Sequence, residues 1–98
     1  MVKRKVAVLV SGSGSNLQAL IDVASEQTVA YDIDLVVSNN PTAYALERAR
    51  RSGIKTRVVN HQNFDSRQAF DEALADLLES YKPDIIALAG FMRRLTPH

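Results

Sequence analysis

Six consecutive small polar residues, SGSGSN at positions 11–16, stand between an apolar run and an amphipathic one. Such residues offer little to a core, so their use lies in the backbone and its hydroxyl and amide groups. Gly12 and Gly14 can take positive φ and let a ligand come close to the main chain. If a helix starts directly after them, its first N–H groups have no partner of their own and favour an anion. Ser13, Ser15 and Asn16 add side-chain donors. Phosphate is the guest such a loop suits, although a tight turn with a serine cap would use some of the same residues.

The spacing narrows the choice of phosphate ligand. A P-loop needs Gly-Lys followed by Ser or Thr, and here Ser15 and Asn16 follow Gly14. A dinucleotide fingerprint needs a third glycine where this chain has Leu17. It also needs an acid at the far end of the second strand. Asp34 lies before that strand's apolar residues, and Ser38, Asn39 and Asn40 occupy the far end. ATP and NAD are therefore disfavoured, and a smaller phosphate ester fits better.

LAGFMRRL at 88–95 is the second informative stretch. Phe91, Met92 and Leu95 follow an apolar strand at the point where a chain normally turns into solvent. They either wall a pocket for a flat organic ligand or pack under further parts of the protein. Other chemistry is limited by composition. The chain has no cysteine and only two histidines, His61 and His98, so thiolate chemistry and Cys-ligated zinc are excluded and a His-rich metal site is not expected. Twelve Lys and Arg oppose eleven Asp and Glu in 98 residues, a net charge of +1, which gives no reason to expect nucleic acid.

The elements that must position these groups alternate along the chain. VAVLV at 6–10 reads as a strand buried on both faces. Leu17, Leu20, Ile21 and Ala24 then repeat at helical spacing. IDLVV at 33–37 is a second strand, after which Pro41 suits the first turn of a helix over 43–52 that ends at Gly53. TRVVN at 56–60 is a third, more polar strand, expected near an edge. Asp65 with Gln68 resembles a capping box for a long helix lined by Phe70, Leu74, Leu77, Leu78 and Tyr81, which Pro83 ends. DIIALA at 84–89 is the fourth strand. The expected fold is α/β: a Rossmann-like parallel sheet with helices on both faces, in βαβαβαβ order and incomplete. The whole chain, 1–98, reads as one unit, and nothing in FMRRLTPH reads as a domain terminus.

The apolar run at 6–10 is shorter than the roughly 7–15 residues of a signal sequence, and no stretch approaches the ~20 of a membrane span. A cytoplasmic protein without a membrane partner is expected. Arg48, Arg50 and Arg51 read as a solvated helix face, His61 as an exposed loop residue, and Lys3, Arg4 and Lys5 as solubilising the entry to the first strand.

VLVSGSGSNLQALID, SNN, FDSRQAFD and ALAGFMRRLTP, in this order along the whole chain, resemble glycinamide ribonucleotide formyltransferases. Members of that family move a formyl group from 10-formyltetrahydrofolate to the amine of glycinamide ribonucleotide in purine biosynthesis. The resemblance implies that Gly14, Ser15 and Asn16 cradle the substrate phosphate. It implies that Arg67 contacts the folate and that Met92, Arg93, Arg94 and Leu95 line the folate site, with Arg94 standing where the family usually has an aliphatic residue. The family's catalytic Asn-x-His lies beyond His98, and its Asp further on. His98 has no Asn two positions before it and is not the catalytic histidine. The 98 residues are thus expected to be the N-terminal, nucleotide-phosphate-binding half of a formyltransferase domain, inactive alone and prone to self-associate through an exposed sheet edge. Two alternatives stand beside this reading. One is a formyltetrahydrofolate hydrolase, which needs no phosphate loop. The other is a non-catalytic phosphate-binding domain.

Overall fold

The computed structural model describes residues 4–24 and 31–91. Four strands form one sheet, β1 (Arg4–Val10), β2 (Tyr31–Ser38), β3 (Lys55–Val58) and β4 (Ile85–Leu88), in the order β3-β2-β1-β4 with every pairing parallel. Three α-helices connect them: α1 (Ser15–Ala24), α2 (Tyr44–Arg51) and α3 (Arg67–Tyr81). The expected α/β architecture and element order are therefore present.

The β-branched run of β1 alternates its side chains between two cores. Val6, Val8 and Val10 pack with Val36 under Leu17 of α1 and Ala45, Leu46 and Ala49 of α2. Ala7 and Leu9 pack with Leu35 and Val37 under Phe70, Leu74 and Leu78 of α3. The first two crossovers move towards β3 and share one face. The third returns past β2 and β1 to β4 over the other face, as right-handed connections require. A bulge in β2 sets its phase: Val6 faces Ile33 and Ala7 faces Leu35, so Asp34 is the extra residue. Ile33 thereby packs on the α1 face and Leu35 on the α3 face, although a regular strand would place both on one side.

Several local expectations are corrected. β1 begins two residues earlier than its apolar run because Arg4 and Lys5 continue the ladder with Tyr31 and Asp32. The Lys5 N–H donates to Asp84 Oδ2 and the Asp84 N–H to the Lys5 carbonyl, each at 2.8 Å, which latches the start of β4 onto β1. Pro41 is not in α2. It lies in a turn closed by the Ala43 N–H and the Asn40 carbonyl (3.2 Å), where its fixed φ suits the second position, and α2 starts after Ala43. Ser66, not Asp65, caps α3, its hydroxyl accepting from the Ala69 N–H at 3.1 Å. Gln68 instead donates to Glu72. α3 ends at Lys82 in the left-handed region (φ 51°), one residue before Pro83. β3 is an edge strand as expected, but it stops at Val58 because a short 3₁₀ turn over His61–Asn63 follows, capped by Asn60. β4 does not bury both faces among the described residues. Ile85, Ile86 and Leu88 are 45%, 49% and 61% exposed, because α3 lies over β1 and β2 instead.

Candidate functional site

The loops after all four strands emerge at one edge of the sheet. Between β1 and β4 the connections diverge: the chain leaves β1 towards α1 on one face, while β4 is reached from α3 on the other. That divergence opens a crevice at the carboxyl ends of β1 and β4, the place where open α/β sheets bind ligands. The loop at 11–14 forms one lip of the crevice and the exit of β4 at Ala89–Gly90 forms the other. The Ala89 N–H donates to the Leu9 carbonyl (2.9 Å), which holds the two lips side by side.

Within the first lip, Gly14 is the N-terminal cap of α1, since its carbonyl accepts from the Gln18 N–H at 2.8 Å. The N–H groups of Ser15, Asn16 and Leu17 therefore open the helix without intrahelical partners. Ser15 and Asn16 are exposed, while Leu17 is buried and anchors the turn. The two glycines serve different ends. Gly14 has φ 81°, and a Cβ there would lie 2.7 Å from both Cα and Cβ of Ala45. The packing of α2 against it is enough to require glycine here. Gly12 does not have positive φ, and a Cβ on it would meet nothing within 4 Å. Gly12 is the one that leaves space beside the backbone.

Two anchors behind the loop were not legible in the sequence. The Gly12 carbonyl accepts from the Ala45 N–H (3.1 Å), and the Ser13 carbonyl accepts from Arg48 Nε (2.7 Å). Arg48 also reaches Gln18 Oε1 at 3.4 Å and sits 5.0 Å from the centroid of the Tyr44 ring. Arg50 and Arg51 pair with Glu47 on the exposed side of α2, so of the three arginines only Arg48 leaves the solvated face it was expected to cover. At the base of the loop, Ser11 Oγ donates to Asn39 Oδ1 at 2.7 Å in a buried contact. Asn39 in turn meets His61, whose Nδ1 lies 3.1 Å from the Asn39 carbonyl and 3.4 Å from its Nδ2. His61 is thus half-buried and ties the β3 loop to the β2 loop, contrary to the expectation of an exposed residue.

Arg67 is the first residue of α3, exposed at the same edge of the sheet but on the opposite face from Ser15 and Asn16. Phe91, following β4, packs against the core of that same face, which contains Phe70. Met92, Arg93, Arg94, Leu95 and His98 lie outside the described residues. Asp34 sits in the middle of β2, away from this edge. Two cavities among the described residues, of about 270 and 200 Å³, lie elsewhere. Ile33 lines both, with Ile54 in one and Ile85 in the other, at and beyond the middle of the sheet from the loop. Among the described residues no group of acidic or histidine side chains could hold a metal ion.

A parallel sheet in the order 3-2-1-4, with a glycine-containing turn and a helix N-terminus after its first strand, defines a Rossmann-like α/β protein. The chain belongs to the formyl transferase family, whose N-terminal domain model matches residues 4–98. It is 46% identical over 92 residues to phosphoribosylglycinamide formyltransferase of Escherichia coli, covering 94% of this chain and 43% of that protein. It is 50% identical over 94 residues to the human trifunctional purine biosynthetic protein adenosine-3, covering 96% of this chain and 9% of that protein. The structure of phosphoribosylglycinamide formyltransferase from Coxiella burnetii superposes with a TM-score of 0.91 at 40% identity, over 96% of this chain and 44% of the other. The Brucella melitensis enzyme gives 0.93 at 38%, over 96% and 49%. The chain spans less than half the length of each of these relatives.

Proposed function

We propose that the protein to which these 98 residues belong transfers a formyl group from 10-formyltetrahydrofolate to the amine of glycinamide ribonucleotide, and that residues 1–98 supply the nucleotide-phosphate half of its formyltransferase domain. The observation that carries this reading is the open N-terminus of α1 at the crevice between β1 and β4, in a chain 46% identical to a phosphoribosylglycinamide formyltransferase. The N–H groups of Gly14, Ser15 and Asn16, with the side chains of the last two, would bind the ribonucleotide phosphate. Arg67, Met92, Arg93, Arg94 and Leu95 would line the folate site. A folate site on the α3 face is supported by Arg67, which starts α3, and by Phe91, which packs on the core of that face. The two substrates would then meet from opposite faces across the crevice, which brings the amine to the formyl carbon.

The attacking amine nitrogen forms a bond to the formyl carbon. Collapse of the tetrahedral adduct breaks the bond to the folate nitrogen, which leaves with a proton. The acid–base and oxyanion groups for those steps belong to the part of the protein beyond residue 98, so this chain's contribution is binding and orientation. Such an enzyme works in the cytoplasm on small molecules, with neither nucleic acid nor a membrane as partner. No helix among the described residues is long and apolar enough to cross a membrane.

The test is turnover by the full-length protein, with 10-formyltetrahydrofolate as donor and either glycinamide ribonucleotide or its dephosphorylated form as acceptor. Formyl transfer that depends on the phosphate is expected. Formate release without an acceptor would point to a hydrolase. Phosphate binding with no folate turnover would point to a binding module.

A further inference from the structure

Arg48 lies behind the loop at 11–16, on α2, and points none of its observed bonds at the open side. Its Nε–H donates to the Ser13 carbonyl at 2.7 Å and its Nη1 to Gln18 at 3.4 Å, while its guanidinium lies 5.0 Å from the Tyr44 ring centroid. One residue earlier in the loop, the Gly12 carbonyl is held by the Ala45 N–H at 3.1 Å. The peptide bonds here are trans, so each carbonyl and the N–H that shares its peptide plane point in opposite directions. Fixing the carbonyls of Gly12 and Ser13 towards α2 therefore turns the N–H groups of Ser13 and Gly14 away from α2. They then join those of Ser15 and Asn16 at the helix start as a set of oriented donors, the arrangement that makes a backbone anion site. Ala45 contributes a main-chain group that any residue would supply. Arg48 contributes a side chain.

We propose that Arg48 is the positioning residue of the phosphate loop: it clamps the Ser13 carbonyl so that the Ser13–Gly14 peptide presents its N–H to the phosphate of the bound ribonucleotide. This rests on the proposed ribonucleotide site, and it adds a residue that acts on the ligand only through the loop. The bond is charge-assisted and short, the kind that holds a peptide plane firmly. The guanidinium also places a positive charge behind the loop. A lysine would preserve that charge and one donor, whereas methionine would preserve only the stem that packs beside Gly14, where Arg48 Cδ lies 3.2 Å from the position of a Cβ.

The experiment uses the full-length protein carrying Arg48→Met or Arg48→Lys, with kinetics for both substrates. Calorimetry with glycinamide ribonucleotide and its dephosphorylated form runs alongside. Loss of a charge-assisted bond predicts that Arg48→Met raises KM and Kd for the ribonucleotide about tenfold. Binding of the dephosphorylated form, KM for the folate and kcat should each stay within about twofold, because the clamp acts only on groups that meet the phosphate. Arg48→Lys should recover most of the loss. Three results overturn the proposal. In the first, Arg48→Met keeps the wild-type preference for the phosphorylated form. In the second, its losses fall equally on both substrates, follow a fall in Tm and are not recovered by lysine, which marks a packing role only. In the third, the wild-type protein shows no preference for the phosphate at all, which removes the ribonucleotide site together with the clamp.

Discussion

On one side of β1, the loop at 11–14 is tied to α2 through Ala45 and Arg48 and to the β2 loop through Ser11 and Asn39, with His61 closing the chain of contacts from β3. On its other side, β4 is four residues long, pairs with β1 alone among the described residues, and exposes Ile85, Ile86 and Leu88. The first flank is tied together by these bonds and buries Val8, Val10, Val36 and Val37 completely or nearly so. Among the described residues the second leaves apolar side chains uncovered and one edge of β4 without a partner strand. The lesson concerns how the site divides. The proposed phosphate half is built by β1, β2, α1 and α2, whereas the proposed folate half takes Arg67 from α3 and otherwise lies in the chain that follows β4.

The largest expected effect tests that division through catalysis. If the acid–base groups lie beyond residue 98, the purified 98-residue chain should transfer formyl groups at least about 10³-fold more slowly than an intact relative, since general acid–base catalysis alone contributes 10²–10⁴-fold. A stopped assay with both substrates checks this, and turnover within tenfold of the intact enzyme would end the division as drawn.

The glycines sharpen the finished flank. Gly14→Val combines strain at φ 81° with overlap on Ala45, each of which costs about 1–3 kcal/mol, so denaturant unfolding of the full-length protein should show a loss of several kcal/mol. A Cβ at Gly12 meets nothing within 4 Å, so Gly12→Ala should leave Tm nearly unchanged, while weakening ribonucleotide binding if the ligand approaches that backbone. Equal stability losses at both positions would break the assignment of packing to one glycine and open space to the other.

Asn39→Ala removes the acceptor of the buried Ser11 hydroxyl and should cost about 1–2 kcal/mol in denaturant unfolding. An unchanged midpoint would mean that the contacts between the β1 and β2 loops do not hold this flank. The smallest effect on folding belongs to the other flank. Leu88→Lys in the isolated chain should shift stability by no more than about 0.5 kcal/mol, because Leu88 is already 61% exposed. We propose that the same chain self-associates through β4. Sedimentation should then show the substitution moving it towards monomer. A wild-type chain that sediments as a monomer would remove the proposal.

The sequence alone determined the alternation of strands and helices, because a continuous β-branched run such as VAVLV and the helical spacing of Phe70, Leu74 and Leu78 are local properties that survive any packing. It also determined the position of the loop at 11–16, since small polar residues between two apolar elements have few other uses. Cap positions were only partly legible. Ser66 and Asp65 are both good caps, and the winner depends on where the chain enters the α3 face. Tertiary structure decided the rest. The strand order that puts β4 beside β1, and so opens the crevice, is a matter of which edge the third crossover reaches. The bulge at Asp34 decides which face Ile33 and Leu35 serve, and an alternating pattern read from sequence cannot show an extra residue. Above all, the separate reasons for Gly12 and Gly14 and the turn of Arg48 into the loop depend on α2 packing against a segment some thirty residues away. Contacts over that separation exist only once the two elements have been brought together, so residue type and local spacing carry no trace of them.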